Sequence, residues 1–288
     1  MLATERLKVT NNDRFRGIGE LYDDAHEVSF NYSESAGNLP AVVVKRRTSM
    51  HETERVLLVG GTRGTGLLIA RLLLPTGYRV RALARNPDQA APRLGSGVDV
   101  VRGDVTRSDT LSSAVKDLTH VIFTAGVPVG PAREKSILAT EYRGVLNILA
   151  ATRDAGFNGR FLYMTSIGVT TPSLSGTVLN LVKGNTLRWR RRAEDEIRRS
   201  GVDYTIVRAG ILLNSPGARR AIQVRQDDLP MSPRYKIARA DVAEVFVEAL
   251  KRQSTSRTTF DVVWGRGPRR ESWDSVFGHL KPDPISRS

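Results

Sequence analysis

Residues 56–66 read Val-Leu-Leu-Val-Gly-Gly-Thr-Arg-Gly-Thr-Gly, and this stretch decides the fold. Val56 to Val59 is an unbroken apolar run, which suits a short strand buried on both faces of a parallel sheet. Glycines follow at 60, 64 and 66, and Leu67 to Leu74 continues as a helix. A strand, a glycine turn and a helix in that order build a cradle for a dinucleotide pyrophosphate. Gly60 permits the tight turn, Gly64 lets backbone approach phosphate, and Gly66 lets the helix lie close to the sheet, while free N–H groups at the helix start face the anion. The candidate cradle is therefore Gly60, Thr62, Arg63, Gly64, Thr65 and Gly66.

Outward from that stretch, strand and helix alternate. Residues 78–84, 98–101, 120–123, 161–165, 204–207 and 259–263 read as further strands. Helices are expected over 110–118, 136–155, 185–200 and 240–251, with a short one opened by Asn86-Pro87-Asp88. Alternation at this pitch predicts an α/β fold, a doubly wound parallel sheet (Rossmann fold) in a single domain over 54–265. Ligands of such sheets lie at the carboxyl ends of the strands, where strand order reverses. At the second strand end, Ala82-Leu83-Ala84-Arg85-Asn86 lacks the acid that would hold the ribose of NAD. Arg85, with Arg63 closing the other side, suits a 2′-phosphate, which predicts NADP over NAD. Ala125-Gly126, at the fourth strand end, is small enough for a ribose to approach the backbone.

The Gly-x-x-x-Gly-x-Gly spacing of Gly60–Gly66 resembles the cofactor loop of the short-chain dehydrogenase/reductase family. Glu141-Tyr142-Arg143-Gly144-Val145-Leu146-Asn147 is similar to that family's long central helix, with Gly144 allowing close contact and Asn147 polar inside it. Thr165-Ser166-Ile167-Gly168 resembles its fifth strand end and serine. Tyr204 to Gly210 and Arg239-Ala240-Asp241-Val242-Ala243 resemble the atypical, NmrA-like NAD(P)-binding branch. The resemblance spans about 56–263. It implies that Asp104 accepts from the adenine amino group and that Val105 packs on the ring.

One departure bears on chemistry. The family's typical enzymes use Tyr-x-x-x-Lys, in which lysine lowers the tyrosine pKa so that it donates a proton. No tyrosine of this chain is followed four residues later by lysine. By offset from Glu194, Thr186 and Arg190 stand in those two places, and neither is such an acid. Ser166 remains, as an orienting hydrogen-bond partner only. Ala209 also stands where the atypical pattern usually has proline.

The 288 residues contain no cysteine, which excludes disulfides, a thiol nucleophile and cysteine metal sites, and the four histidines show no metal spacing. No apolar run approaches a membrane span. Net charge is +14, from 44 Lys/Arg and 30 Asp/Glu; residues 1–53 hold 7 and 8 of these, so the basic excess belongs to the remainder. Eight acids within 1–53 argue against a transit peptide, and the segment reads as a mostly disordered extension, although 27–32 and 41–44 each resemble a short strand. Met50 is a candidate start, and a soluble, cytoplasmic protein is the expectation. The run Arg188-Trp189-Arg190-Arg191-Arg192 could suggest nucleic acid. However, Trp189, Ala193 and Ile197 fall on one helical stripe, and Arg190, Arg191 and Arg192 have acids four residues on, so a solvated helix face is the better reading. In the tail, 266–288, Trp273, Phe277 and Leu280 suggest one docked short helix.

Two functions fit. The first is an NADPH-dependent reductase of a quinone- or flavin-like small molecule that needs no enzymic acid. The second is a non-catalytic NADP-binding, redox-sensing regulator acting on a protein partner, as the NmrA-like resemblance implies.

Overall fold

A computed structural model of the chain describes residues 54–128, 130–269 and 271–284, with the backbone of 28–30 and 42–44. The chain divides into residues 1–50 and 51–288. In the first unit, β1 (Val28–Phe30) and β2 (Val42–Val44) pair antiparallel, with Val28 opposite Val44. The two runs read as strand-like thus find each other as partners. The rest of the expected disordered extension lies outside the described residues.

The second unit starts with β3 (Arg55–Val59), whose alternate side chains enter two different cores. Val56 and Leu58 join one core, Leu57 and Val59 the other, all at most 1% exposed. Period-two alternation on a strand covered on both sides requires this division. Each such aliphatic contributes about 1.5–3 kcal/mol by leaving water. Helix α1 (Gly64–Leu73) follows, burying Thr65, Gly66, Ile69, Ala70 and Leu73 along one stripe. Pro75 and the left-handed Gly77 (φ +88°) stop it. Then come β4 (Arg79–Ala84), α2 (Pro87–Leu94), capped by the Asn86 side chain, and β5 (Val98–Arg102).

The chain next crosses to the other side of β3 and forms β6 (His120–Phe123). The expected helix over 110–118 is instead a 3₁₀ turn, Ser108–Thr110, and a run of turns ending at Asp117, whose φ of +55° is left-handed. The predicted long helix is continuous but composite: α3 (Glu134–Ile137), a π-helical stretch (Leu138–Arg143) and α4 (Gly144–Asp154). After β7 (Arg160–Ser166) comes an unforeseen helix, α5 (Leu174–Val182), capped by the Ser173 side chain. It buries Gly176 and exposes Leu174, Val178, Leu181 and Val182. Helix α6 (Thr186–Arg199) and β8 (Asp203–Ala209) restore the expected order.

Three short strands were also unforeseen: β9 (Ile211–Leu213), β10 (Ile222–Arg225) and β11 (Lys236–Ala238). Helix α7 (Arg239–Leu250), β12 (Thr258–Trp264) and α8 (Trp273–Phe277) complete the fold. Phe277 is fully buried and stacks on Trp273, so the tail helix docks as its spacing predicts. The main sheet runs β10-β12-β8-β7-β6-β3-β4-β5, parallel except for β10, which pairs antiparallel with β12 at one edge. β11 pairs parallel with β9 in a second, two-stranded sheet. Order reverses between β3 and β6, which puts the crevice at residues 60–63 and 124–126.

Candidate functional site

The three loop glycines answer three different constraints. Gly60 has φ +91°, and a Cβ there would lie 2.6 Å from the Ala125 nitrogen, so the ends of β3 and β6 meet through it. A Cβ at Gly66 would lie 2.3 Å from the Gly60 oxygen and 2.6 Å from Thr124 Oγ1, which fixes α1 against the strand ends. Gly64 is held by conformation (φ +54°), since a Cβ would meet only Arg239 Nη1, at 3.8 Å. α1 has no side-chain cap, and Thr65 Oγ1 in its first turn is buried without a partner among the described residues. Uncapped N–H groups and an orphaned hydroxyl beside a glycine turn fit a phosphate group. Thr62 is half-buried; Arg63 is exposed and donates to the Gly126 carbonyl at 3.3 Å.

At the β4 end Arg85 is exposed, and Arg102 of β5 reaches it, donating to the Arg85 carbonyl at 3.3 Å. Neither has a carboxylate partner among the described residues. The structure therefore adds Arg102 beside Arg85, while Arg63 bonds the Gly126 carbonyl. Asp104 Oδ1 accepts from the Thr106 nitrogen and hydroxyl, both at 2.9 Å, which leaves Oδ2 without a protein partner among the described residues. Val105 turns into the core, where a Cβ on Gly144 would lie 2.9 Å from its Cγ2. Asn147 Nδ2 donates to the Val105 carbonyl at 2.7 Å, which explains the polar residue in that helix.

The opposite wall holds a cluster that spans three segments. Glu141, in the π-helical stretch, is 1% exposed. Its Oε2 accepts from Thr186 Oγ1 (2.6 Å) and Arg190 Nε (2.7 Å), its Oε1 from the Val127 nitrogen (3.0 Å). Burial pushes its carboxyl up, but the Arg190 charge and the bonds from Arg190 and Thr186 together hold it below the usual carboxylate range. Burial likewise opposes the Arg190 charge, and Glu141 outweighs it, so Arg190 is held above its ordinary value. A Cβ on Gly126 would lie 3.3 Å from both Arg190 Nη2 and Glu141 Oε1, so this glycine covers the pair. Ser166, the last residue of β7, is half-buried, and its hydroxyl has no protein partner among the described residues. Lys183, which follows α5, is held below its ordinary value by burial and then by the Arg190 charge.

The sequence matches a family model described as NAD(P)H-binding over residues 60–253. The chain belongs to this NAD(P)H-binding family. Its branch is the atypical, NmrA-like one of the short-chain dehydrogenase/reductases. It is similar to sanguinarine reductase of Eschscholzia californica, 28% identical over 265 residues that cover 78% of this chain and 95% of the relative. A putative NAD-dependent epimerase/dehydratase from Bacillus halodurans superposes with a TM-score of 0.64 at 27% identity, over 75% of this chain and 96% of that one. A short-chain dehydrogenase/reductase from Veillonella parvula in complex with NADP shares the fold, with a TM-score of 0.60 at 17% identity, over 75% of this chain and 97% of that one.

Against that NAD(P)H-binding background, Glu141 and Arg102 are the residues that sequence reasoning missed. Glu141 had one local signal: with Ile137, Val145 and Ile148 it falls on a fully buried helical stripe, where a lone acid requires a partner. The basic run of α6 also departs from its simple reading. Arg191–Asp195 and Glu194–Arg198 pair as the spacing predicts, at 3.5 and 3.1 Å. Arg190 instead leaves the helix surface for Glu141, Arg199 pairs with Glu196, and Arg192 stacks over Trp189. Ala193 and Ile197 are fully buried, but Trp189 stays at the rim, where its Nε1 donates to Glu134 at 2.8 Å. Among the described residues no helix is long and apolar enough to cross a membrane.

Proposed function

We propose that this chain is an NADPH-dependent reductase of a small molecule whose reduced form takes its proton from solvent, of the quinone or flavin type. The observation that carries the reading is the Glu141–Arg190–Thr186 cluster, which fills the place of the tyrosine and lysine. A guanidinium locked to a carboxylate has no proton to give, and that carboxylate is kept ionised. When bound, the reduced nicotinamide supplies a hydride, two electrons and one hydrogen nucleus. The chain's own part is to position donor and acceptor: Gly60 and Gly66 shape the floor, Gly126 covers the ion pair, and Ser166 orients the acceptor. Sanguinarine reductase, a relative named for reducing a small molecule, supports the reaction class.

NADP is preferred over NAD in this reading, because Arg85 and Arg102 together face the β4 end without a carboxylate. The NADP complex of the Veillonella fold relative is in keeping with it. Titration of both cofactors into wild type and Arg85→Ala tests the preference. Losing one charge-assisted partner weakens NADP by about 1.5–3 kcal/mol and leaves NAD nearly unchanged. Equal wild-type affinities sink the preference. NADPH oxidation with a quinone and flavin panel tests the chemistry. Ser166→Ala is expected to lower turnover by less than about a hundredfold, and simple secondary alcohols are not oxidised. Tight NADPH binding with no turnover on any acceptor favours the redox-sensing regulator instead.

A further inference from the structure

Arg239 opens α7 immediately after β11, and no side chain caps that helix. α1 and α7 share one core layer, with Ile69, Ala70 and Leu73 of the first joining Val242 and Phe246 of the second. Arg239 Nη1 reaches across to the glycine turn, 3.8 Å from where a Cβ on Gly64 would stand. Its Nε donates to Asn214 Oδ1 at 2.9 Å, a neutral acceptor. The acids nearest in sequence are engaged elsewhere. Asp241 accepts from the Ala218 nitrogen (2.7 Å) and Trp264 Nε1 (2.6 Å), and Glu244 pairs with Arg269 at 2.5 Å. Among the described residues Arg239 has no carboxylate partner. It is half-buried, and burial, which opposes the charged form, holds its pKa below the ordinary value.

Lys183 lies close enough to feel both Arg239 and Arg190, with Glu141 as the acid in range. Around Lys183, two arginines and one carboxylate leave a net positive charge. A dinucleotide pyrophosphate carries two negative charges. An uncompensated, partly desolvated guanidinium is unfavourable in the empty fold and favourable once an anion pairs with it.

We infer that Arg239 is a pyrophosphate ligand, closing the glycine turn from the α7 side, with Lys183 adding to the field. The inference rests on the cofactor reading above and names its second phosphate contact. It differs from the role of Arg85, because pyrophosphate is common to both dinucleotides whereas the 2′-phosphate belongs to one.

The test measures dissociation constants of NADPH and NADH by fluorescence for wild type, Arg239→Gln, Arg239→Lys and Arg85→Ala, each checked for an unchanged melting temperature. Arg239→Gln is expected to weaken both cofactors by the same factor, about ten- to a hundredfold. Arg239→Lys recovers part of the loss, and Arg85→Ala weakens NADPH alone. Inorganic pyrophosphate competes with NADPH in wild type and less well in Arg239→Gln. Dissociation constants that stay within about twofold in Arg239→Gln overturn the assignment while leaving the cofactor reading intact. A raised KM for an acidic acceptor with unchanged cofactor affinity also overturns it, and moves Arg239 to the acceptor. A wild type that binds neither dinucleotide defeats the cofactor reading itself.

Discussion

Arg160 and Arg239 stand at opposite ends of the strands and are treated in opposite ways. Arg160 opens β7 and is 7% exposed. It donates to Asp203 (2.9 Å), Gln253 (2.8 Å), Thr255 Oγ1 (3.2 Å) and the carbonyls of Arg252 (2.8 Å) and Ala249 (3.4 Å). That one side chain ties β7 to the start of β8, the end of α7 and the turn before β12. Arg239, at the carboxyl end, makes one bond to a neutral oxygen. A buried cation whose donors are all met serves the fold, whereas one left short of partners is held for something the fold does not contain.

The sharpest way to break this comparison is to remove each cation in turn. Arg160→Met removes the charge partner of Asp203 and the five hydrogen bonds of a buried guanidinium, and the expected loss is about 3–5 kcal/mol of stability. For a domain of this size that lowers Tm by about 6–20 °C in a thermal melt. NADPH affinity of the folded variant should not change. A Tm within about 2 °C of wild type would show that the network is not what holds that end together.

Asp261 of β12 sharpens the comparison from the anionic side, because it is only half met. Its Oδ2 accepts from the Leu229 nitrogen at 2.7 Å, while Oδ1 is buried without a partner among the described residues. Burial raises its carboxyl to about 6; the Leu229 N–H and Arg208 pull it down, and Asp228 and Glu194 push it up. The folded state therefore holds a proton more firmly than the unfolded one, and this group's contribution falls as pH rises from about 4 to about 6. Asp261→Asn keeps the acceptor for Leu229 and removes the charge. The variant is expected to be more stable than wild type by about 1–3 kcal/mol at pH 8, with no advantage at pH 4. Paired melts at the two pH values check this, and an equal advantage at both would exclude the titration.

The smallest effect is expected at the ligand end. Arg239→Gln should change stability by no more than about 0.5 kcal/mol without ligand, since little in the fold depends on it. In the same melts, added pyrophosphate should raise Tm in wild type more than in the variant. A large loss of stability in the ligand-free variant would place Arg239 with Arg160 and end the contrast.

How much of this was legible in the sequence follows the range of the interactions. The cradle was, because strand, glycine turn and helix are adjacent in the chain and Gly60, Gly64 and Gly66 act on neighbouring backbone. Arg85 was, through its fixed offset from the turn. Arg102 was not, because it reaches Arg85 only through the β4–β5 register, which pairs Ala84 with Arg102. Glu141, Thr186 and Arg190 are 45 and 49 residues apart from acid to donors, and no local pattern joins them. Helix α5 escaped because Ser175, Gly176 and Asn180 form helices poorly and its aliphatics face outward. Arg239 stood in a quoted motif, yet its lack of a partner is a property of three dimensions.

The π-helical stretch Leu138–Arg143 gives the helix another kind of freedom. A π turn holds one residue more than an α turn, and Ile137, Glu141 and Val145 all face inward around this one. Removing the extra residue lets the stretch relax to α-helix while the helix on either side keeps its phase. In terms of inheritance, the helix can lose or gain one codon here without turning its two halves off the core they share.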